Sequence, residues 1–216
     1  MVGSLMYLTA TRPDLMFVVS LISRFMASPT QLHYVAVKRI MRYLKGTINY
    51  GIWYKQGEGS DLVAYTDSDY AGDIDDSKST SGYVFLMGGG AVAWSSRKQP
   101  IVTLSTTEVE YVAAATCACQ AIWMRRILEE ISHAQVGEIV MLCDNTSTIK
   151  LSKNPVMHGR SKHIRVRYHF LKDLAKEGVI KLVYCSKEMQ LADMIDEGVK
   201  VGIISEDSRS TWDEHW

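Results

Sequence analysis

Three consecutive glycines, Gly88-Gly89-Gly90, separate two strand-like runs, Ser81 to Met87 and Ala91 to Ser96. Such a turn joins neighbouring strands of one sheet, so the chain must build an antiparallel hairpin. The segments around it fix what the hairpin belongs to. Before it, Leu62-Val63-Ala64-Tyr65-Thr66 reads as a strand ending at Asp67. After it, a long helix starts near Ser105, where Ser105-x-x-Glu108 has capping-box spacing, and runs to about Ile131. Glu138 to Cys143 is a strand ending at Asp144, followed by a short helix (Thr146 to Leu151) and a basic loop and helix (about Lys162 to Lys176). Val179 to Cys185 is a further strand, and a short last helix begins near Gln190. The order strand-strand-strand-helix-strand-helix-strand-helix is that of an α/β unit without internal repeats.

Upstream, residues 1–55 read as mostly helical. Pro13 in Thr11-Arg12-Pro13-Asp14 suits a first helical turn, and Phe17, Val18, Leu21, Ile22 and Phe25 form an apolar stripe. Ser28-Pro29-Thr30 breaks the chain. A second helix spans about Gln31 to Lys45, with Tyr34, Val37, Ile40, Met41 and Leu44 on one face, and Gly46 stops it. Ile48 to Tyr54 looks like a strand, and Gly57-Glu58-Gly59-Ser60 like a linker. The expected organisation is a helical unit (1–55), an α/β unit (61–195) and an acidic, disordered tail (196–216).

Four cysteines, none in a CxxC pair, are too few for a disulfide scaffold and point to a reduced interior. Cys117 and Cys119 lie among alanines of the long helix and read as packing residues. No apolar run approaches the ~18 residues of a membrane span. No basic n-region precedes an apolar core at the N-terminus, which makes an intracellular location the default expectation and excludes a membrane partner. The zero net charge conceals blocks. Residues 1–60 carry 7 basic against 2 acidic side chains, 61–154 carry 7 against 12, 155–187 carry 8 against 2, and 188–216 carry 2 against 8. Basic blocks flanking an acidic centre suit a protein that grips a polyanion while holding cations near a reacting phosphate.

Asp67 and Asp144 end strands, where open α/β sheets place their ligands. On the long helix Glu108 has a capping role available, which leaves Glu110 free to face the sheet, and Asp193 opens the last helix. Singly, each has a plainer role: strand ends, a solvated helix residue, a dipole-favoured charge at a helix start. Together, converging from separate elements, they would repel unless divalent cations lay between them. Oxygen-rich clusters favour Mg²⁺ or Mn²⁺ over zinc, and two ions ~4 Å apart can activate water and stabilise a leaving oxygen.

Five stretches carry a family resemblance: Tyr65-Thr66-Asp67-Ser68-Asp69-Tyr70-Ala71-Gly72-Asp73, Ser79-Thr80-Ser81-Gly82-Tyr83, Ala93-Trp94-Ser95-Ser96-Arg97-Lys98-Gln99, Leu104-Ser105-Thr106-Thr107-Glu108-Val109-Glu110-Tyr111 and Lys162-His163-Ile164. Together they resemble the ribonuclease H region of copia-type retrotransposon polyproteins. Residues 3–46, with Tyr7-Leu8-Thr9-Ala10-Thr11-Arg12-Pro13-Asp14, resemble the end of the reverse transcriptase just upstream. The resemblance implies a ribonuclease H-like mixed five-stranded sheet with helices on both faces, preceded by a small helical reverse-transcriptase remnant. It further implies cleavage of the RNA strand of RNA–DNA hybrids with two Mg²⁺ or Mn²⁺ ions. By motif, Asp67, Glu110, Asp144 and Asp193 become the metal-binding catalytic acids. Arg160, Lys162, His163, Arg165, Arg167 and Lys172, with Tyr168 and Phe170 interleaved, become the segment gripping the hybrid, against the plainer reading of a solvated basic helix. His158, His163 and His169 read as loop or core histidines, not zinc ligands.

The chain departs from the family in three ways. It has no Tyr-x-Asp-Asp polymerase motif, and no histidine in Ser186-Lys187-Glu188-Met189-Gln190 before the last acid. After Asp193 it turns to Asp196-Glu197-Gly198 and an acidic end, which predicts a short, loosely held helix under the last acid. These departures keep two other readings open. One is a co-opted, non-catalytic chain of the kind named secreted RxLR-type effectors of oomycetes, which would be secreted and meet a host protein inside a host cell. The other is a nucleic-acid-binding remnant. The apolar stripes of the N-terminal helices predict either a missing reverse-transcriptase core as partner or self-association.

Overall fold

A computed structural model of the chain describes residues 1–54, 59, 61–153 and 165–196. Its centre is a five-stranded sheet in the order β3-β2-β1-β4-β5. The strands are β1 (Val63–Ser68), β2 (Thr80–Met87), β3 (Gly90–Lys98), β4 (Ile139–Cys143) and β5 (Ile180–Tyr184). β2 runs antiparallel to β1 and β3, while β1, β4 and β5 are parallel. This is the mixed five-stranded sheet that the resemblance implies. The hairpin closes through Gly88 and Gly89 at φ +58° and +74°. A two-residue turn matched to strand twist requires positive φ at both positions, which glycine adopts without strain.

Parallel β1 and β4 need a crossover, and α4 (Thr106–Glu130) supplies it. Ala114, Cys117, Ala118, Ala121, Met124 and Leu128 recur at helical spacing and are buried against Ala64, Phe85 and Met141 of the sheet. α5 (Thr146–Lys153) and α6 (Arg165–Lys176) join the same layer, α6 through Leu171. The opposite face is covered by the one-turn helix α7 (Asp193–Asp196), with Ala192 and Ile195 fully buried. Successive strand residues alternate between these layers: Phe85 lies in the α4 core, while Gly82 lies beneath α7.

The N-terminal unit consists of α1 (Val2–Leu8), a 3-10 turn (Pro13–Leu15), α2 (Met16–Ser23) and α3 (Gln31–Gly46). Its own core is a narrow strip, Leu5, Leu15, Val19, Ile22, Val37 and Ile40. The predicted stripes are thus only partly used: Leu21, Tyr34 and Met41 face outward. The Arg12-Pro13-Asp14 motif closes the unit. Arg12 donates to both Asp14 carboxylate oxygens (3.0 and 2.8 Å) and to the Thr47 carbonyl and hydroxyl (3.1 and 2.8 Å), and the Tyr43 hydroxyl donates to Asp14 (2.9 Å). The unit docks on β3: the Trp94 indole donates to the Thr9 carbonyl (2.8 Å) and the Ser20 hydroxyl to the Ser96 carbonyl (3.1 Å).

Two expectations are corrected. Ile48 to Tyr54 forms no strand: Ile48, Trp53 and Tyr54 are exposed, and the Tyr54 hydroxyl, not a backbone ladder, reaches the Ala91 carbonyl of β3 (2.7 Å). Cys119 is exposed, unlike Cys117, which lies in the core. The linker residues apart from Gly59, the segment holding His158, Arg160, Lys162 and His163, and the acidic end from Glu197 onward lie outside the described residues. Among the described residues, no helix is long and apolar enough to cross a membrane.

Candidate metal centre

Each predicted acid is placed by a different element. Asp67 is the penultimate residue of β1 and pairs with Gly82. Antiparallel partners point to the same face, so the Asp67 side chain lies on the α7 side. Asp144 follows β4 directly, beside Asp67 because β1 and β4 are parallel neighbours. Glu110 stands in the first turns of α4 and is buried. Neighbouring Glu108 is buried too, but it serves the helix start: the Ser105 hydroxyl accepts from Glu108 N–H (3.2 Å), and Glu108 accepts from Leu104 N–H (2.7 Å). The division of labour expected from the capping box therefore holds.

Asp193 opens α7, which is short but not loosely held. Gln190, fully buried, donates to the Thr66 carbonyl of β1 (3.0 Å) and accepts from Ala192 N–H (3.3 Å). Gly82 lets the helix come down on the sheet. A Cβ there would lie 3.1 Å from the Ala192 carbonyl oxygen, the Asp196 nitrogen and the Ile195 Cβ. The glycine of Thr80-Ser81-Gly82-Tyr83 is therefore a seat for α7. α2 and the 3-10 turn at Pro13–Leu15 pack on the same helix.

The acids meet. Ligand atoms of Glu110, Cys143 and Asp144 lie within 4.8 Å of one another, and so do those of Asp67, Asp193 and Asp196. Asp67 joins the two groups: protonated Glu110 donates to it, and it donates to Asp193 when protonated itself. Burial, the bond to Asp193 and the charge of Asp144 push the Asp67 carboxyl well above the ordinary carboxylate range. Glu110 is pushed up further, by burial and then by Asp67, Asp144 and Asp196. Burial also raises Asp144, and the positive charge of Lys187 draws it back. The nearby Cys185 thiol is pushed up to about 12 by burial and by the charges of Asp144, Asp67 and Asp193. Without a compensating cation, this cluster resists carrying its full negative charge.

Sequence reasoning missed Asp196. The signal was present: an acid three residues after Asp193 lies on the same face of a helix. It also missed Lys187 as a cation acting on Asp144, in the loop where no histidine occurs. Among the predicted hybrid contacts, Arg167 and Lys172 lie half-buried on α6, and Arg165 starts that helix. Tyr168 and Phe170 are half-buried on α6. Both pack against the sheet core, Tyr168 also through its carbonyl, which accepts from the Tyr111 hydroxyl (3.1 Å).

The chain is 45% identical over 201 residues to the retrovirus-related Pol polyprotein from transposon TNT 1-94 of Nicotiana tabacum, a match over 92% of its length. Its strong homologues are copia-type Pol polyproteins from transposons. Of the first Pol polyproteins it matches it spans only 13–15%. A shorter relative, secreted RxLR effector protein 161 of Plasmopara viticola, is 44% identical over 124 residues, 57% of this chain and 87% of that protein. No family model matches the chain. Among solved structures, LC11-RNase H1 in complex with an RNA/DNA hybrid is similar at TM-score 0.47 and 14% identity, over 64% of this chain and 96% of that chain.

Proposed function

We propose that this chain is a ribonuclease H-type endonuclease that hydrolyses the RNA strand of RNA–DNA hybrids with two divalent ions. One observation carries the reading: Asp67, Glu110, Asp144 and Asp193, from four separate elements, converge where parallel β1 and β4 end. The similarity to transposon Pol polyproteins supports it. The residues also fit a metal. Glu110 Oε2 is buried and receives no hydrogen bond among the described residues, and the donors are overwhelmingly carboxylate oxygens. That set suits Mg²⁺ or Mn²⁺.

Glu110 and Asp144 would hold one ion and Asp193 the other, with Asp67 shared between them. Bound there, the ions would supply an activated water and charge stabilisation at the leaving oxygen. The chain's own contribution is rigidity. The strands and α4 fix three carboxylates, and Gln190 and Gly82 fix the fourth. Lys187 places a positive charge beside Asp144, at the edge a phosphodiester would approach. Exposed Lys38, Arg39, Arg42 and Lys45 of α3, and the basic segment Arg160, Lys162, His163, Arg165, Arg167 and Lys172, would hold the hybrid's phosphates.

The test is single-turnover cleavage of an RNA–DNA hybrid in Mg²⁺ or Mn²⁺. Asp67→Asn should lower the rate about a thousandfold, the several kcal/mol that metal charge stabilisation contributes. Absence of cleavage, or cleavage indifferent to Asp67→Asn, refutes the reading. The similarity to the oomycete effector favours a second reading, a co-opted chain that acts by binding in a host cell. On that reading, host-response suppression survives Asp67→Asn combined with Asp144→Asn.

A further inference from the structure

Asp196 has no part in the four-acid scheme, yet it is only 1% exposed, the most deeply buried acid among the described residues. It ends α7 one turn after Asp193, and one oxygen from each of Asp196, Asp193 and Asp67 lies within 4.8 Å of the other two. Burying a carboxylate next to two others is costly unless a cation offsets it. An independent feature of the same cluster points to a ligand. Glu110, 6% exposed, bonds Asp67, senses the charge of Asp196, and keeps its Oε2 buried without a hydrogen-bond partner among the described residues. The missing Cβ at Gly82 leaves room for the backbone of Asp196 itself to lie close on the sheet.

We infer that Asp196 is a fifth cation ligand, forming with Asp67 and Asp193 a three-carboxylate position for a hard divalent ion. The inference rests on the metal-site reading above and extends it. With Asp196 this position offers three carboxylates, as many as Glu110, Asp144 and the shared Asp67 offer on the other side; without Asp196 it would offer only two.

Mn²⁺ titration by calorimetry, paired with melting curves with and without Mn²⁺, tests it. Wild-type protein should bind two Mn²⁺ ions. Asp196→Asn should weaken binding of one of the two ions at least about tenfold and shrink the Mn²⁺-induced rise in melting temperature. Without metal, Asp196→Asn should melt at or above wild type, because a negative charge has left a crowded cluster. A purely structural Asp196 gives the reverse: a lower metal-free melting temperature and an unchanged Mn²⁺ response, which overturns the inference. Asp196→Glu keeps the charge but displaces the oxygens by one methylene, and serves if Asp196→Asn does not fold. Weakened binding supports the assignment, and unchanged binding overturns it. Wild-type protein that binds no Mn²⁺ refutes the metal-site reading as a whole, whereas wild-type binding that Asp196→Asn leaves untouched refutes only the role of Asp196.

Discussion

Three of the converging acids stand on elements that the whole core holds, and two stand on a helix of a single turn. Asp67, Glu110 and Asp144 belong to β1, α4 and the end of β4, whose apolar faces form one continuous core. Asp193 and Asp196 belong to α7, held by one glutamine, one glycine seat and the buried pair Ala192 and Ile195. The first half of the site can be displaced only by unfolding the domain. The second can be displaced alone, because a four-residue helix has almost no stability of its own and takes its position from what it packs on. Part of that support comes from α2 and the Pro13–Leu15 turn, so the N-terminal unit contributes to the placement of the last acids.

This contrast can be broken from either side. The largest effect should come from the core beneath the first half: Met141→Ala, at a fully buried position of β4, should cost about 2–5 kcal/mol of global stability in chemical denaturation. All five acids should lose their positions together. Gly82→Ala should act on the second half alone. The new Cβ meets α7 backbone at 3.1 Å, and overpacking of this kind costs about 1–3 kcal/mol. Hybrid cleavage should fall while most of the fold persists by circular dichroism. Removing the buried Gln190 tether with Gln190→Ala should cost about 1–2 kcal/mol. Hydrogen exchange should then quicken in residues 190–196 and stay unchanged in α4. Smallest of all, Asp73→Asn removes the acid that pairs with Lys98 (2.6 Å) and Arg24 (3.4 Å) at the docking edge of the N-terminal unit. A half-exposed pair of this type should change stability by no more than about 0.5 kcal/mol. A large loss there would mean that the N-terminal unit is held by charge and not by its contacts to β3.

The same contrast explains what the sequence made legible. Long elements announce themselves: the Ser105 cap, the alanine-rich periodic face of α4 and the glycine hairpin each specify local structure, and the strand ends at Asp67 and Asp144 follow from them. Short elements do not. α7 has too few residues for a periodic pattern, so its burial depends on Gly82, more than a hundred positions earlier, and the one local mark of Asp196, its three-residue spacing from Asp193, does not say which way that face points. The Ile48 to Tyr54 run failed for a related reason. Its apolar residues satisfy a strand pattern, but the edge of β3 receives the Tyr54 hydroxyl in place of a backbone ladder. On α6, likewise, Tyr168 and Phe170 look like contacts beside arginines, and the three-dimensional core claims them.

The central claim is that these acids are gathered around divalent ions. Anomalous diffraction from crystals grown with Mn²⁺ tests it most directly. The account predicts Mn²⁺ peaks bounded by Asp67, one on the side of Glu110 and Asp144 and one on the side of Asp193 and Asp196. Crystals that take up Mn²⁺ elsewhere and leave the surroundings of Asp67 without a peak would contradict it.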